Sequence, residues 1–234
     1  MGSVIGPRAF VVSLGYGAFL PMRKFLISLV FSMCGFVATA DTVTVAALGD
    51  SLTQGYGLPP EDGFVPQLQT WLDAKGADVA LINAGVSGDT TAGGAARAGW
   101  TLTPDVDAMI VALGGNDLLR GIDPDAARAN LTTILEAAQG GGVEVLLIGI
   151  QAPGNYGPDY KAAFDAMYPE LALDYDALFV ESFFIGLMSE GQDPAQARDF
   201  FQADGIHPNA EGVKRVVNGL GPFVLDLVER ADAD

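Results

Sequence analysis

Five short apolar runs recur along the chain: Val43–Leu48, Val79–Ile82, Ala108–Leu113, Val143–Ile150 and Leu178–Val180. Each is bounded by glycine, asparagine or aspartate, and each is apolar nearly throughout rather than at every second residue. A strand covered on both faces has that pattern, whereas a half-exposed strand alternates. Between the runs the apolar residues return every three or four positions, as one face of a helix does. Phe64, Leu68, Trp71 and Leu72 form one such face, Ala127, Leu131, Ile134, Leu135 and Ala138 a second, and Phe164, Met167 and Leu171 a third. The last face runs from Val213 to Val228, with Gly221-Pro222 predicting a kink. Strand and helix alternate, so the pattern predicts an α/β sandwich around a five-stranded parallel sheet. Trp71 and Trp100 read as core positions. No internal repeat or long linker interrupts the pattern, which predicts a single domain over residues 41–234.

The first 40 residues differ in kind. They hold no acidic residue and three basic ones, Arg8, Arg23 and Lys24. Met22-Arg23-Lys24 leads into the apolar run Phe25 to Val37, followed by Ala38-Thr39-Ala40. A basic start, a short apolar stretch and a small-x-small ending describe a secretory leader, with translation starting at Met1 or Met22. The alternative, an uncleaved anchor, meets an apolar run shorter than the roughly 20 residues of a spanning helix. Cleavage after Ala40 removes Cys34, the only cysteine, and leaves nine basic against 29 acidic residues, a formal charge of −20. That balance repels nucleic acid and anionic lipid surfaces, so neither nucleic-acid binding nor membrane insertion after cleavage is expected.

Ligands of open parallel sheets bind beyond the carboxyl ends of the strands. The polar residues that stand out in this sequence all fall there. Ser51 follows the first run, and Asn83 with Gly85-Val86-Ser87-Gly88-Asp89 follows the second. Gly114-Gly115-Asn116-Asp117 follows the third, and Gln151-Ala152-Pro153-Gly154-Asn155-Tyr156-Gly157 the fourth. Singly, each has a plain structural use: Ser51 as a helix cap, the glycine-rich segments as turns. The one histidine, His207, lies in Asp204-Gly205-Ile206-His207-Pro208. One histidine and no cysteine after cleavage leave no credible transition-metal site, and no cofactor is expected. A single histidine can act as general base beside a serine when a carboxylate orients it, and Asp204 is near enough in sequence to do so.

Gly49-Asp50-Ser51-Leu52, Gly88, Gly114-Gly115-Asn116-Asp117 and Asp204-Gly205-Ile206-His207-Pro208 together resemble the four blocks of the SGNH (GDSL) hydrolase family. The resemblance covers nearly all of residues 43–228. It is strongest to the bacterial periplasmic subgroup of arylesterases, acyl-CoA thioesterases and lysophospholipases. It implies a three-layer, flavodoxin-like α/β/α sandwich and a serine esterase with small acyl or aryl esters as substrates, without cofactor or obligate protein partner. By the same resemblance Ser51 is the nucleophile, His207 the base and Asp204 its orienting partner. The oxyanion hole is then the N–H groups of Ser51 and Gly88 with the Asn116 side chain. Gln151, Ala152, Pro153, Asn155 and Tyr156 match the substrate loop. Gln151-Ala152 stands where relatives often carry a basic and a larger apolar residue, which argues against strong preference for long-chain acyl-CoA. Two other uses of the same fold remain open: a carbohydrate O-acetyl esterase and a non-catalytic binding module.

Overall fold

The computed structural model describes residues 42–187 and 194–233. The leader expected over residues 1–40 lies outside them. Five parallel strands form the sheet: β1 (Val43–Gly49), β2 (Val79–Gly85), β3 (Ala108–Ala112), β4 (Glu144–Ile148) and β5 (Leu178–Val180). They stand in the order β2-β1-β3-β4-β5. Seven helices accompany them among the described residues: α1 (Ser51–Gln54), α2 (Phe64–Lys75), α3 (Thr91–Thr101), α4 (Gly115–Arg120), α5 (Pro124–Gly141), α6 (Pro158–Asp174) and α7 (Ala210–Asp232).

Side chains alternate across each strand, so the sheet feeds two cores. Ala108, Ile110 and Ala112 of β3 pack with α2 and α7, while Met109 and Val111 of the same strand pack with α5 and α6. The uninterrupted apolar character of β1 and β3 follows from this double covering. β2 departs from expectation. It is the edge strand, and Ile82, read as buried, is exposed, because its side chain stands on the face where the covering helix, α3, packs over β1.

Two further elements and one residue differ from the sequence pattern. α3 carries no apolar stripe, because its Thr-Ala-Gly-Gly-Ala-Ala sequence is built of small residues. They allow close approach: a Cβ on Gly94 would collide with Leu113 Cδ1. Trp100, expected in the core, is 86% exposed. It lies near the carboxyl end of α3, about 14 Å along the helix from the end that follows β2. α7 runs unbroken through Gly221-Pro222, although Pro222 cannot donate to the carbonyl of Asn218. Gly221 has a packing use, since any Cβ there would enter the ring of Trp71 on α2.

Strand order places the site. The chain leaves β1 toward β2 on one side and returns to β3 on the other, so a crevice opens at the carboxyl ends of β1 and β3. Ser51 follows β1 and Asn116 follows β3 directly into it.

Candidate active site

β1 ends in Gly49-Asp50-Ser51, a turn that Gly49 makes possible because a Cβ there would collide with Thr53 Oγ1. The cap of α1 is Asp50, whose carboxylate accepts from the N–H of Leu52 at 3.0 Å. Ser51 is thereby the first helical residue, and its hydroxyl is free of capping. Ser51 Oγ lies 2.8 Å from His207 Nε2, and His207 Nδ1 lies 2.7 Å from Asp204 Oδ2. The other oxygen of Asp204 accepts from the backbone N–H of Ile206 at 2.9 Å and of His207 at 3.0 Å. The hydrogen bond from the His207 ring, followed by these two from the backbone, holds the Asp204 carboxyl down to about 2. An ionised Asp204 can only accept, so Nδ1 carries the proton and Nε2 is left to accept from Ser51.

The loop bearing His207 is anchored on both sides. Phe201 and Pro208 form an antiparallel bridge, and the N–H of Gln202 donates to the carbonyl of His207 at 2.7 Å. Gln202 Nε2 donates to the carbonyls of Tyr56 and Pro208, which ties this loop to the one after Ser51. The Tyr56 ring lies 4.7 Å from the His207 ring. Asn209 then caps α7 by accepting from the N–H of Gly212.

Asn116 lies in the first turn of α4, and its Nδ2 donates to Asp50 Oδ2 at 3.3 Å. Gly114 before it takes φ +119°, where a side chain would meet the hydroxyl of Tyr168. Burial pushes that phenol far above its ordinary range, so it stays a neutral donor to the carbonyl of Leu113. The carboxyl of Asp50 is raised to about 6, chiefly by burial and against the opposing hydrogen bonds from Leu52 and Asn116. Gly88 takes φ +84°, a left-handed conformation that a side chain would strain.

Asp50, Ser51, Gly88, Asn116 and His207 border one cavity of about 710 Å³. Its walls are mostly apolar, with Leu119, Ile150, Tyr156, Phe184, Phe201 and Ile206 prominent. Pro153, Asn155 and Tyr156 of the loop after β4 face it. Gln151 and Ala152 stand apart from it. Gln151 is exposed and bonds Glu181, while Ala152 is buried, with its N–H donating to Asp165 and its carbonyl accepting from Lys161. The sequence pattern missed Phe184 and Phe201 because both sit in irregular segments without periodicity. Their signal was the aromatic doublets Phe183-Phe184 and Phe200-Phe201 outside any helical stripe. Among the described residues no group of three histidine, cysteine or carboxylate side chains is placed to hold a metal ion. No described helix is long and apolar enough to cross a membrane.

The sequence pattern of the GDSL-like lipase/acylhydrolase family matches residues 47–215, which span every polar group described above. The chain belongs to this family. With membership comes the reaction class, hydrolysis of ester bonds by a serine hydrolase. The chain is 36% identical over 208 residues to the esterase TesA of Pseudomonas aeruginosa, covering 88% of this chain and 100% of that protein. It is 35% identical over 205 residues to thioesterase 1/protease 1/lysophospholipase L1 of Escherichia coli, covering 87% of this chain and 91% of that one. Among solved structures, the SGNH-hydrolase family esterase AlinE4 is 42% identical with a TM-score of 0.64, over 80% of this chain and 96% of that one.

Proposed function

We propose that the protein hydrolyses uncharged acyl and aryl esters through an acyl-enzyme on Ser51. The observation that carries this reading is the continuous relay from Ser51 through His207 to Asp204, at 2.8 and 2.7 Å. Ser51 Oγ attacks the ester carbonyl carbon as its proton passes to His207 Nε2. The carbonyl electron pair moves onto oxygen, and the resulting oxyanion lies among the N–H groups of Ser51 and Gly88 and the Asn116 amide. Collapse restores the carbonyl and expels the alkoxide, which takes the proton from His207. Water then enters, gives a proton to Nε2 and releases the acid by the same steps in reverse. The ionised Asp204 favours the imidazolium formed in both halves, and donors fixed before the charge appears lower the barrier most.

The mostly apolar walls, with no lysine or arginine among the described lining residues, favour neutral acyl and aryl groups. Thioesters and lysophospholipids fit the same chemistry and are named in a relative. The leader pattern supports export to the periplasm or the medium, with Asp41 as the first residue after cleavage; amino-terminal sequencing of the exported protein tests this. The sugar-esterase alternative gains nothing from Trp100, which is exposed but remote from the crevice. The deciding experiment is Ser51→Ala. The variant should lose turnover of p-nitrophenyl acetate and labelling by a fluorophosphonate while keeping its melting temperature. A variant that keeps a tenth of the parent kcat overturns the assignment.

A further inference from the structure

We propose that Arg97, which contacts neither the cavity nor Ser51, is a positioning residue of the oxyanion hole. The inference rests on the reading that the N–H groups of Ser51 and Gly88 and the amide of Asn116 bind the oxyanion. Those groups come from three separate stretches of chain, so something must fix the distances between them. Arg97 lies on α3, and its guanidinium has three acceptors. Nε donates to Asp89 Oδ2 at 2.7 Å, one terminal nitrogen to the carbonyl of Ala84 at 2.6 Å, and the other to the carbonyl of Gly49 at 2.8 Å.

The acceptors identify the purpose. Gly49 stands two residues before Ser51, Asp89 directly follows Gly88, and Ala84 lies where β2 runs into the Gly88 loop. One planar group thus spans the nucleophile turn and the glycine loop. Apart from it, residues 49–54 and 86–89 are joined by the Val86-to-Gly49 backbone bond and the Ser87-to-Gln54 side-chain bond. Neither reaches Gly88 or Asp89. From the opposite side Arg120 of α4, the helix that carries Asn116, donates to the carbonyl of Gly88 at 2.8 Å. Arg120 is exposed and its bond competes with water, whereas the Arg97 and Asp89 side chains are only 22% and 19% exposed.

Two further features fit a clasp rather than a chance ion pair. A guanidinium presents its donors in a rigid fork that one ammonium nitrogen cannot reproduce across three acceptors. Gly93 leaves room for the pair: a Cβ there would collide with Asp89 Oδ1. Loosening the clasp lets Gly88 drift relative to Ser51, which weakens donors that act on the transition state and leaves ground-state binding alone.

The test measures kcat, KM and Tm for Arg97→Met, Arg97→Lys, Gly93→Ala and Asp89→Asn, assayed well below each Tm, with Asn116→Ala as control. Arg97→Met should lose about 10- to 100-fold in kcat with KM nearly unchanged. Arg97→Lys should not restore it, and Asp89→Asn, which keeps an acceptor for Nε, should retain most activity. Gly93→Ala leaves Arg97 in place and displaces Asp89, so it should repeat the kcat loss even if Arg97→Met fails to fold. Folded Arg97→Met or Gly93→Ala with parental kcat, beside a damaged Asn116→Ala, overturns the clasp alone. An unimpaired Asn116→Ala overturns the oxyanion reading beneath it.

Discussion

Asp50 caps α1 from a position only 2% exposed, and burial raises its carboxyl from 3.8 to about 6. Between those values the folded protein holds a proton that the unfolded chain has lost. Stability therefore falls as pH rises through this window, and the full cost is present above it. Asp50→Asn keeps the capping oxygen and removes the titration. The difference in unfolding free energy between variant and parent should shift in the variant's favour by about 2–3 kcal/mol from pH 3.5 to 7.5. Paired denaturant titrations at the two pH values measure it, since groups common to both proteins cancel. Asp204 has the opposite sign: its contribution is present above the usual carboxylate range and is lost as pH falls through about 2. Asn116 is tested by kinetics. Asn116→Ala should cost about 10²–10³ in kcat with KM little changed, because its donor engages fully only when the carbonyl oxygen gains charge. A large fall in Tm with kcat intact would instead make Asn116 a turn residue.

Among the elements, those that bury a stripe were legible in the sequence, and those built of small residues were not. Leu131, Ile134, Leu135 and Ala138 announce α5, and all four are buried. α3 is silent because glycine and alanine carry no stripe, yet it holds Arg97. The strand ends were legible for a different reason. Parallel strands buried on both faces must end where polarity begins, so Ser51, Gly88 and Asn116 could be placed on one edge before any contact was known. The aromatic cavity wall was not, since Phe184 and Phe201 depend on irregular backbone that no period describes. Gly221 gives a test of packing at this scale. Gly221→Val should press against Trp71, costing about 1–3 kcal/mol of stability. The kcat measured well below Tm should not change, because the α2–α7 contact lies away from the cavity.

The molecule as a whole is strongly acidic, with a formal charge of −17 for the full chain. Such a field slows the approach of anionic substrates and is screened over about 10 Å at 0.1 M salt. Added salt should therefore raise kcat/KM several-fold for an acyl-CoA or another anionic ester and leave p-nitrophenyl acetate nearly unchanged. Equal salt responses for the two would remove charge as a selector of substrate. The position of α7 has a consequence for the order in which the enzyme comes into being. Ser51, Gly88 and Asn116 belong to the first half of the chain, whereas His207 is held just ahead of a helix that buries Val213, Leu220, Val224 and Leu227 against the sheet and α2. During synthesis Ser51, Gly88 and Asn116 emerge before His207, and the loop that presents His207 leads directly into α7. A chain stopped at Gly221 should keep Ser51 and be unable to turn over an ester.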